Sequence, residues 1–230
     1  MIGSTNPRYA VLLVLALGAC SSGPPEPATP TPTVAQPAET RPDHATHVDP
    51  ATLAAAAAAD SLRESFNQAD VDFITHMIPH HAQALVMARM VPSHTTTSSL
   101  QVLAGRIINA QNDEIALMQA WLRDRGLPVP DPEHALHSGH HANMPGMLSA
   151  EQLARLDAAR GAEFDRLFLQ FMIQHHTGAI AMVNELFSAH GAAQGDAIFK
   201  IASDINVDQE TEIERMRLML RDLLLETDGS

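Results

Sequence analysis

The chain has a single cysteine, Cys20, among 230 residues. An internal disulfide framework and a thiolate-rich metal site are therefore excluded. Aromatic residues make up only 4% of the sequence, so aliphatic side chains and methionine are left to fill the core. Basic residues are scarce too: 14 Lys and Arg against 27 Asp and Glu give a net charge of −13. Phosphate backbones would be repelled, which argues against nucleic acid as a partner. An acidic surface also suits cations, although by itself it indicates no more than solubility. No apolar run approaches the roughly 20 residues needed to span a bilayer. No segment alternates like a strand, no glycine-rich phosphate loop is present, and no Ser-His-Asp order signals acyl transfer.

The abundant residues are thirteen histidines and eleven methionines, and their placement carries the functional signal. The N-terminus comes first. Residues 1–19 read as a lipoprotein signal peptide: Arg8, an apolar run from Ala10 to Leu17, then Leu17-Gly18-Ala19-Cys20. Cleavage before Cys20 and its lipidation are expected. That places the remainder outside the cytoplasm, anchored by lipid alone to the outer face of the cytoplasmic membrane or to the outer membrane. Residues 20–50 are rich in Pro, Thr and Ala without apolar periodicity and read as a disordered tether. His44 and His47 in it are isolated and carry little weight.

From 51 to 228 the pattern is helical. An alanine run from Ala54 to Ala59 opens it near Thr52, and the first long helix is expected to end around Val91-Pro92. A second is expected from Ser98 to Arg125, stopped by Gly126 and Pro128. A third starts at Ser149, whose Gln152 completes a capping box, and reaches Ala189 with a break at Gly161. The fourth covers Gly195 to Glu226.

One local phrase occurs twice. Asp70, Phe73, Met77, Ile78, His80, His81, Ala84 and Met87 match Asp165, Phe168, Met172, Ile173, His175, His176, Ala179 and Met182 at constant offset. The second helices match as well: Gln111, Glu114, Ile115 and Met118 align with Gln209, Glu212, Ile213 and Met216. Two duplicated helical hairpins, about 66–125 and 149–226, predict an all-α four-helix bundle, because neither hairpin could bury its apolar stripe alone. At about 100° per residue, each duplicated set falls within an arc roughly 120° wide. Each face thus offers two imidazoles, two thioethers and one carboxylate. Pro79 is a candidate kink. Phe73 and Phe168 read as core.

The linker 126–148 holds a second concentration: His134, His137, His140, His141, Met144 and Met147 around a Met-Pro-Gly-Met turn. Soft and borderline ligands at this density suggest metal capture.

The paired Met-Ile-Pro-His-His and Met-Ile-x-His-His motifs, the preceding Asp-x-x-Phe and the Met-Pro-Gly-Met-Leu linker resemble the domain-of-unknown-function family 305, over about Asn67 to Leu223. The resemblance implies a ferritin-like four-helix bundle and extracytoplasmic copper binding. Carried over, the ligands are Met77, His80, His81, Met172, His175 and His176, with Asp70 and Asp165 close by. The departure is Gln174, which stands where the first copy has Pro79; it leaves the ligands intact and is expected to straighten the third helix.

Independent chemistry points the same way. Di-iron bundle enzymes use Glu-x-x-His on facing helices. Here Met77-x-x-His80 and Met172-x-x-His175 occupy that spacing, and a thioether in place of a carboxylate moves the site from iron towards copper, with Cu(I) preferred and Cu(II) accommodated. The expected metal set is therefore Met77, His80, His81, Met172, His175 and His176. Asp70 and Asp165 serve as ligands or orient imidazoles, with Met87, Met182, His137, His140, His141, Met144 and Met147 in supporting positions. The function expected is copper binding, buffering or sequestration without catalysis, the partners being metal ions together with copper-handling proteins or a second copy of the chain. The alternatives are a ferritin-like metal-dependent oxidoreductase and a histidine-based pH-responsive interaction module. If the histidines titrate normally, metal affinity should fall as pH drops through roughly 6.5.

Overall fold

The computed structural model describes residues 65–137 and 144–228, with isolated positions at 49, 51, 52 and 55. Cys20, most of the tether, His140 and His141 lie outside the described residues, as does the side chain of His137. The helices are α1 (Gln68–His94), α2 (Ser98–Asp124), α3 (Pro132–His137), α4 (Ala150–Ala158), α5 (Gly161–Ser188) and α6 (Asp196–Asp228). No strand occurs among the described residues.

Local chemistry sets the ends. Asn67 Oδ1 accepts from the Ala69 and Asp70 amides at 2.9 and 3.2 Å, and Asp70 Oδ2 accepts from the Asn67 amide at 2.8 Å. This reciprocal box satisfies otherwise orphaned donors and starts α1 at Gln68. The alanine run expected to begin the helix falls largely outside the described residues. Pro79 and Pro92 both lie inside α1, which continues past Val91-Pro92 to His94. The extension has a visible anchor: the buried His94 ring lies 2.8 Å from the Met90 carbonyl and 3.0 Å from that of Asp157. At the end of α2, Gly126 adopts φ 64°, and the Gly126 and Leu127 amides donate back to Arg123 and Leu122 at 3.0 Å each. That is the left-handed glycine stop. Ser149 and Gln152 form the expected capping box on α4. The expected break is also present: Ala159 and Arg160 are extended, and Gly161, at φ 57°, opens α5.

Helices α1 and α2 form one hairpin and α5 and α6 the other; α1 packs on α5, and α2 on α6. The apolar interior divides in two. One cluster holds Phe73, Met77, Met118, Trp121, Val183 and Ile201; the other holds Met87, Leu103, Phe164, Phe168, Met172 and Met216. Each long helix passes from one cluster into the other. Polar side chains occupy the level between them. Burial of each large apolar side chain contributes roughly 1.5–3 kcal/mol, and the two flanking clusters offset the cost of that polar level.

The Met-Pro-Gly-Met segment is a strap lying on this level. Gln83 holds it twice, donating from Nε2 to the Leu148 carbonyl at 3.0 Å and accepting the Leu148 amide at 2.7 Å. Gly146, at φ 76°, faces Gly178 of α5. A Cβ on Gly146 would meet the Gln174 and His175 carbonyls at 2.7 Å, and one on Gly178 would overlap the Pro145 carbonyl. Gln174 reaches the Gly146 carbonyl at 3.4 Å, which explains the departure from Pro79.

Gly178→Ala should therefore unseat the strap and lower stability by about 1–3 kcal/mol, as overpacking does. Gly105→Ala, whose Cβ meets nothing within 4 Å, should be neutral or stabilising by up to about 1 kcal/mol. Urea unfolding of the two variants checks the contrast; equal effects would mean that the strap is not packed this tightly.

Candidate metal centre

Between the two apolar clusters, all four long helices contribute polar groups at one level: His80 and His81 from α1, Gln111 and Glu114 from α2, His175 and His176 from α5, Gln209 and Glu212 from α6. The four imidazoles are 0–1% exposed. The His80 and His175 rings lie 3.9 Å apart between centroids, with His81 6.4 Å from His80 and His176 5.9 Å from His175. The duplication thus places two histidine pairs face to face across the α1–α5 contact.

Their hydrogen bonds fix how each ring presents itself. His80 Nε2 lies 2.9 Å from the Pro145 carbonyl of the strap, and His175 Nε2 lies 2.9 Å from the His80 carbonyl. A carbonyl only accepts, so both rings carry the proton on Nε2 and leave Nδ1 with a bare lone pair. His176 Nε2 sits 2.6 Å from Glu212 Oε2, and His81 Nε2 sits 2.8 Å from Glu114 Oε2. The first pair is a well-directed hydrogen bond. The second is a close ion-pair approach whose angle is too poor for one, so the His81 Nε2 and the Glu114 oxygens remain without a hydrogen bond. All four Nδ1 atoms are buried and unpartnered. Each such atom costs about 1–3 kcal/mol. Four in one layer form a concentrated set of bare lone-pair donors.

Burial is the largest cause of the lowered basicity. It pushes His80 down to about 3, with the neighbouring His81 and His176 adding to the effect against a raising hydrogen bond from Pro145. His175 is likewise held well below its ordinary value by burial, then by His80, His176 and His81. These two rings are neutral near pH 7, the form that binds metal.

Other expected residues are placed differently. Met77 and Met172, three positions before His80 and His175, are fully buried one turn away in opposite apolar clusters. Met87 is buried in the core, about 10 Å along the axis from His80 at 1.5 Å per residue. Met182 lines a cleft with Phe73 and His76. The aspartates are reassigned. Asp70, about 15 Å along α1 from His80, caps its own helix and accepts the Ala193 amide at 2.6 Å. Asp165 accepts the Thr97 hydroxyl at 2.6 Å, at the start of α2. Both tie helix ends together; neither orients an imidazole. That role falls to Glu114 and Glu212. The recurrence of Gln-x-x-Glu in the second helices carried the signal: a carboxylate kept at the same register of two apolar stripes. In the linker, Met144 packs against the core and Met147 is half-buried in the strap, while His134 is exposed.

Among the described residues, no three His, Cys, Asp or Glu groups stand close enough to hold a metal as they are. The layer is therefore not a preassembled imidazole–carboxylate cage. It offers bare Nδ1 atoms with thioethers a turn away, a donor set suited to a soft cation content with few ligands.

Fold and site define an all-helical protein built by duplication around a buried layer of paired histidines. Residues 70–220 match the sequence profile of the family described as "Domain of unknown function (DUF305)", and the chain belongs to that family. A DUF305 fragment from Deinococcus radiodurans is 32% identical over 68% of this chain and 98% of its own, with a TM-score of 0.59. A DUF305 protein from Streptomyces coelicolor, described as secreted, is 26% identical over 67% of this chain and 93% of its own, with a TM-score of 0.58. CopM in its Cu(II)-bound form is 31% identical over 66% of this chain and 96% of its own, with a TM-score of 0.54; it has also been solved with Cu(I) bound. No curated protein sequence matches the chain.

The depressed basicity revises the expected pH response. Unfolded histidine takes up a proton below about 6.5, whereas folded His80 does so only near 3. The unfolded state then binds more protons, so the stability of the metal-free protein falls as pH drops from about 6.5 towards 3. The expected slope is roughly 1 kcal/mol per pH unit for each such histidine. Metal affinity of the folded state should not collapse through 6.5. Urea unfolding of chelator-treated protein between about pH 7.5 and 4.5 tests this; His80→Gln with His175→Gln should flatten the slope.

Proposed function

We propose that this protein binds copper outside the cytoplasm, holding it in the histidine layer and buffering or sequestering it without turnover. The observation that carries the reading is the set of four buried, unpartnered Nδ1 atoms. Two belong to rings whose Nε2 is held by carbonyls in the metal-competent tautomer, and two to rings whose Nε2 faces a carboxylate that raises donor strength. Met77 and Met172 supply the soft component, which favours Cu(I), while the imidazoles also accept Cu(II). Support from relatives is the copper bound by CopM at 30–31% identity. The Streptomyces coelicolor relative described as secreted supports an extracytoplasmic setting. The strap meets His80 through the Pro145 carbonyl and carries Met144 and Met147 beside that contact in the sequence. His80, held neutral down to about 3 by burial, does not act as a proton sensor near neutrality.

Competitive titration against a Cu(I) chelator tests the assignment. Met77→Leu with Met172→Leu should weaken Cu(I) at least about tenfold and Cu(II) far less, with a stability cost below about 1.5 kcal/mol. His80→Ala with His175→Ala should weaken both ions. Unchanged Cu(I) affinity in the methionine variant would return Met77 and Met172 to the core, and unchanged affinity in both would place the site elsewhere.

The anchor is a separate proposal, resting on Leu17-Gly18-Ala19-Cys20. No helix among the described residues is long and apolar enough to cross a membrane. Cys20→Ser should therefore release the protein from the membrane fraction and remove the mass of the lipid. An unaltered fractionation and mass would refute lipidation.

A further inference from the structure

The histidine layer is enclosed, so an ion reaching it needs a passage. Glu114, which faces His81, lines a cavity of about 150 Å³ between α2 and α6 together with Asp113, Asp204 and Asp208. His81 is 1% exposed, its Nε2 lies 2.8 Å from Glu114 Oε2, and its Nδ1 has no partner. A buried, under-bonded imidazole thus stands directly behind the carboxylate that lines the groove. The groove is electrostatically negative. Partial burial first, then Glu114, Glu212 and Asp204, push the Asp208 carboxyl above its ordinary value. Lys200 lies 2.6 Å from Asp204, and His81 stands behind Glu114.

The duplication supplies an internal control. The offset that carries Glu114 onto Glu212 carries Asp113 onto Thr211 and Leu117 onto Arg215. The reverse offset carries Asp204 onto Arg106 and Asp208 onto Ala110. Apart from Glu212, which matches Glu114, the pseudo-equivalent positions are therefore basic or neutral where this groove has Asp113, Asp204 and Asp208. The buried Gln, Glu, Ile and Met of the second helices are kept in both copies. Core packing demands the kept residues and does not demand the surface aspartates.

We propose that the α2–α6 groove is the cation entrance to the histidine layer, where Asp113, Asp204 and Asp208 gather ions and Glu114 passes them to His81. Charge of one sign focused in a cleft raises association rates by roughly 10–1,000-fold. The hard carboxylates hold a soft ion only weakly, so it moves on to imidazole and thioether. This inference rests on the proposed metal site, and the test separates the two.

The experiment is stopped-flow uptake of free Cu(II) and Ag(I) by the full chain, with final stoichiometry measured on the same samples. Asp113→Asn, Asp204→Asn and Asp208→Asn together should slow uptake at least about tenfold at low salt and leave the stoichiometry unchanged. The deficit should shrink in about 0.5 M salt, where exposed charges are screened. Glu163→Gln, Glu185→Gln and Glu214→Gln together change net charge equally at exposed sites away from the groove, and should leave the rate within about twofold if the effect is local. An unslowed groove variant, or equal slowing by the control, overturns the entrance. Unchanged stoichiometry in His80→Ala with His175→Ala would instead overturn the layer as the metal site, and the entrance with it.

Discussion

Four imidazoles confined at mid-height in a helical bundle are the constraint around which this protein is built. A layer at that depth has lost its water, and unpartnered ring nitrogens in it are costly. The fold answers by spending backbone carbonyls and carboxylates on the Nε2 atoms. Pro145 and His80 supply the carbonyls; Glu114 and Glu212 supply the carboxylates. The four Nδ1 atoms are left bare, His81 Nε2 meets Glu114 without a hydrogen bond, and the two apolar clusters above and below hold the arrangement together. The bare nitrogens are thus a cost that the apolar packing of the same helices must offset.

Duplication explains how such a layer is assembled with little sequence. One hairpin supplies half of it: a histidine pair on the first helix and a Gln-x-x-Glu on the second. Two hairpins related by pseudo-symmetry complete it, because α1 and α5 each cross the polar level in the opposite sense. The single strap breaks the symmetry. Gln83 and Gly178 occupy equivalent positions in the two copies, yet one bonds the strap and the other makes room for it. Pro79 and Gln174 diverge for the same reason. A second asymmetry lies on the α2–α6 surface, where Asp204 and Leu117 correspond to Arg106 and Arg215 of the other copy.

Much of this was legible in the chain. Apolar periodicity, the Ser149 capping box and the glycine at 126 are local signals, and they gave the four long helices with the break at Gly161, whereas the Asn67 box that starts α1 emerged only in the fold. The repeated Met-x-x-His-His phrase gave the paired faces, because helical geometry alone fixes which residues share a side. Legibility failed where the deciding contacts are distant in sequence. Asp70 and Asp165 lie on the same helical arc as the histidines, but an arc has no height. Their distance along the axis and their bonds to Ala193 and Thr97 decide that they tie helix ends together.

The sequence by itself determined the helices, the duplication and the identity of the histidine-bearing faces, since each depends on neighbours within a few turns. Tertiary structure alone decided the rest. It placed His80 against His175 across the bundle, set Glu114 against His81 and Glu212 against His176, and laid the linker methionines into a strap. It also depressed the basicity of His80 and His175, an effect of desolvation that no local pattern encodes. Burial is a property of the packed assembly, and a residue's charge, tautomer and free lone pair follow from what surrounds it there.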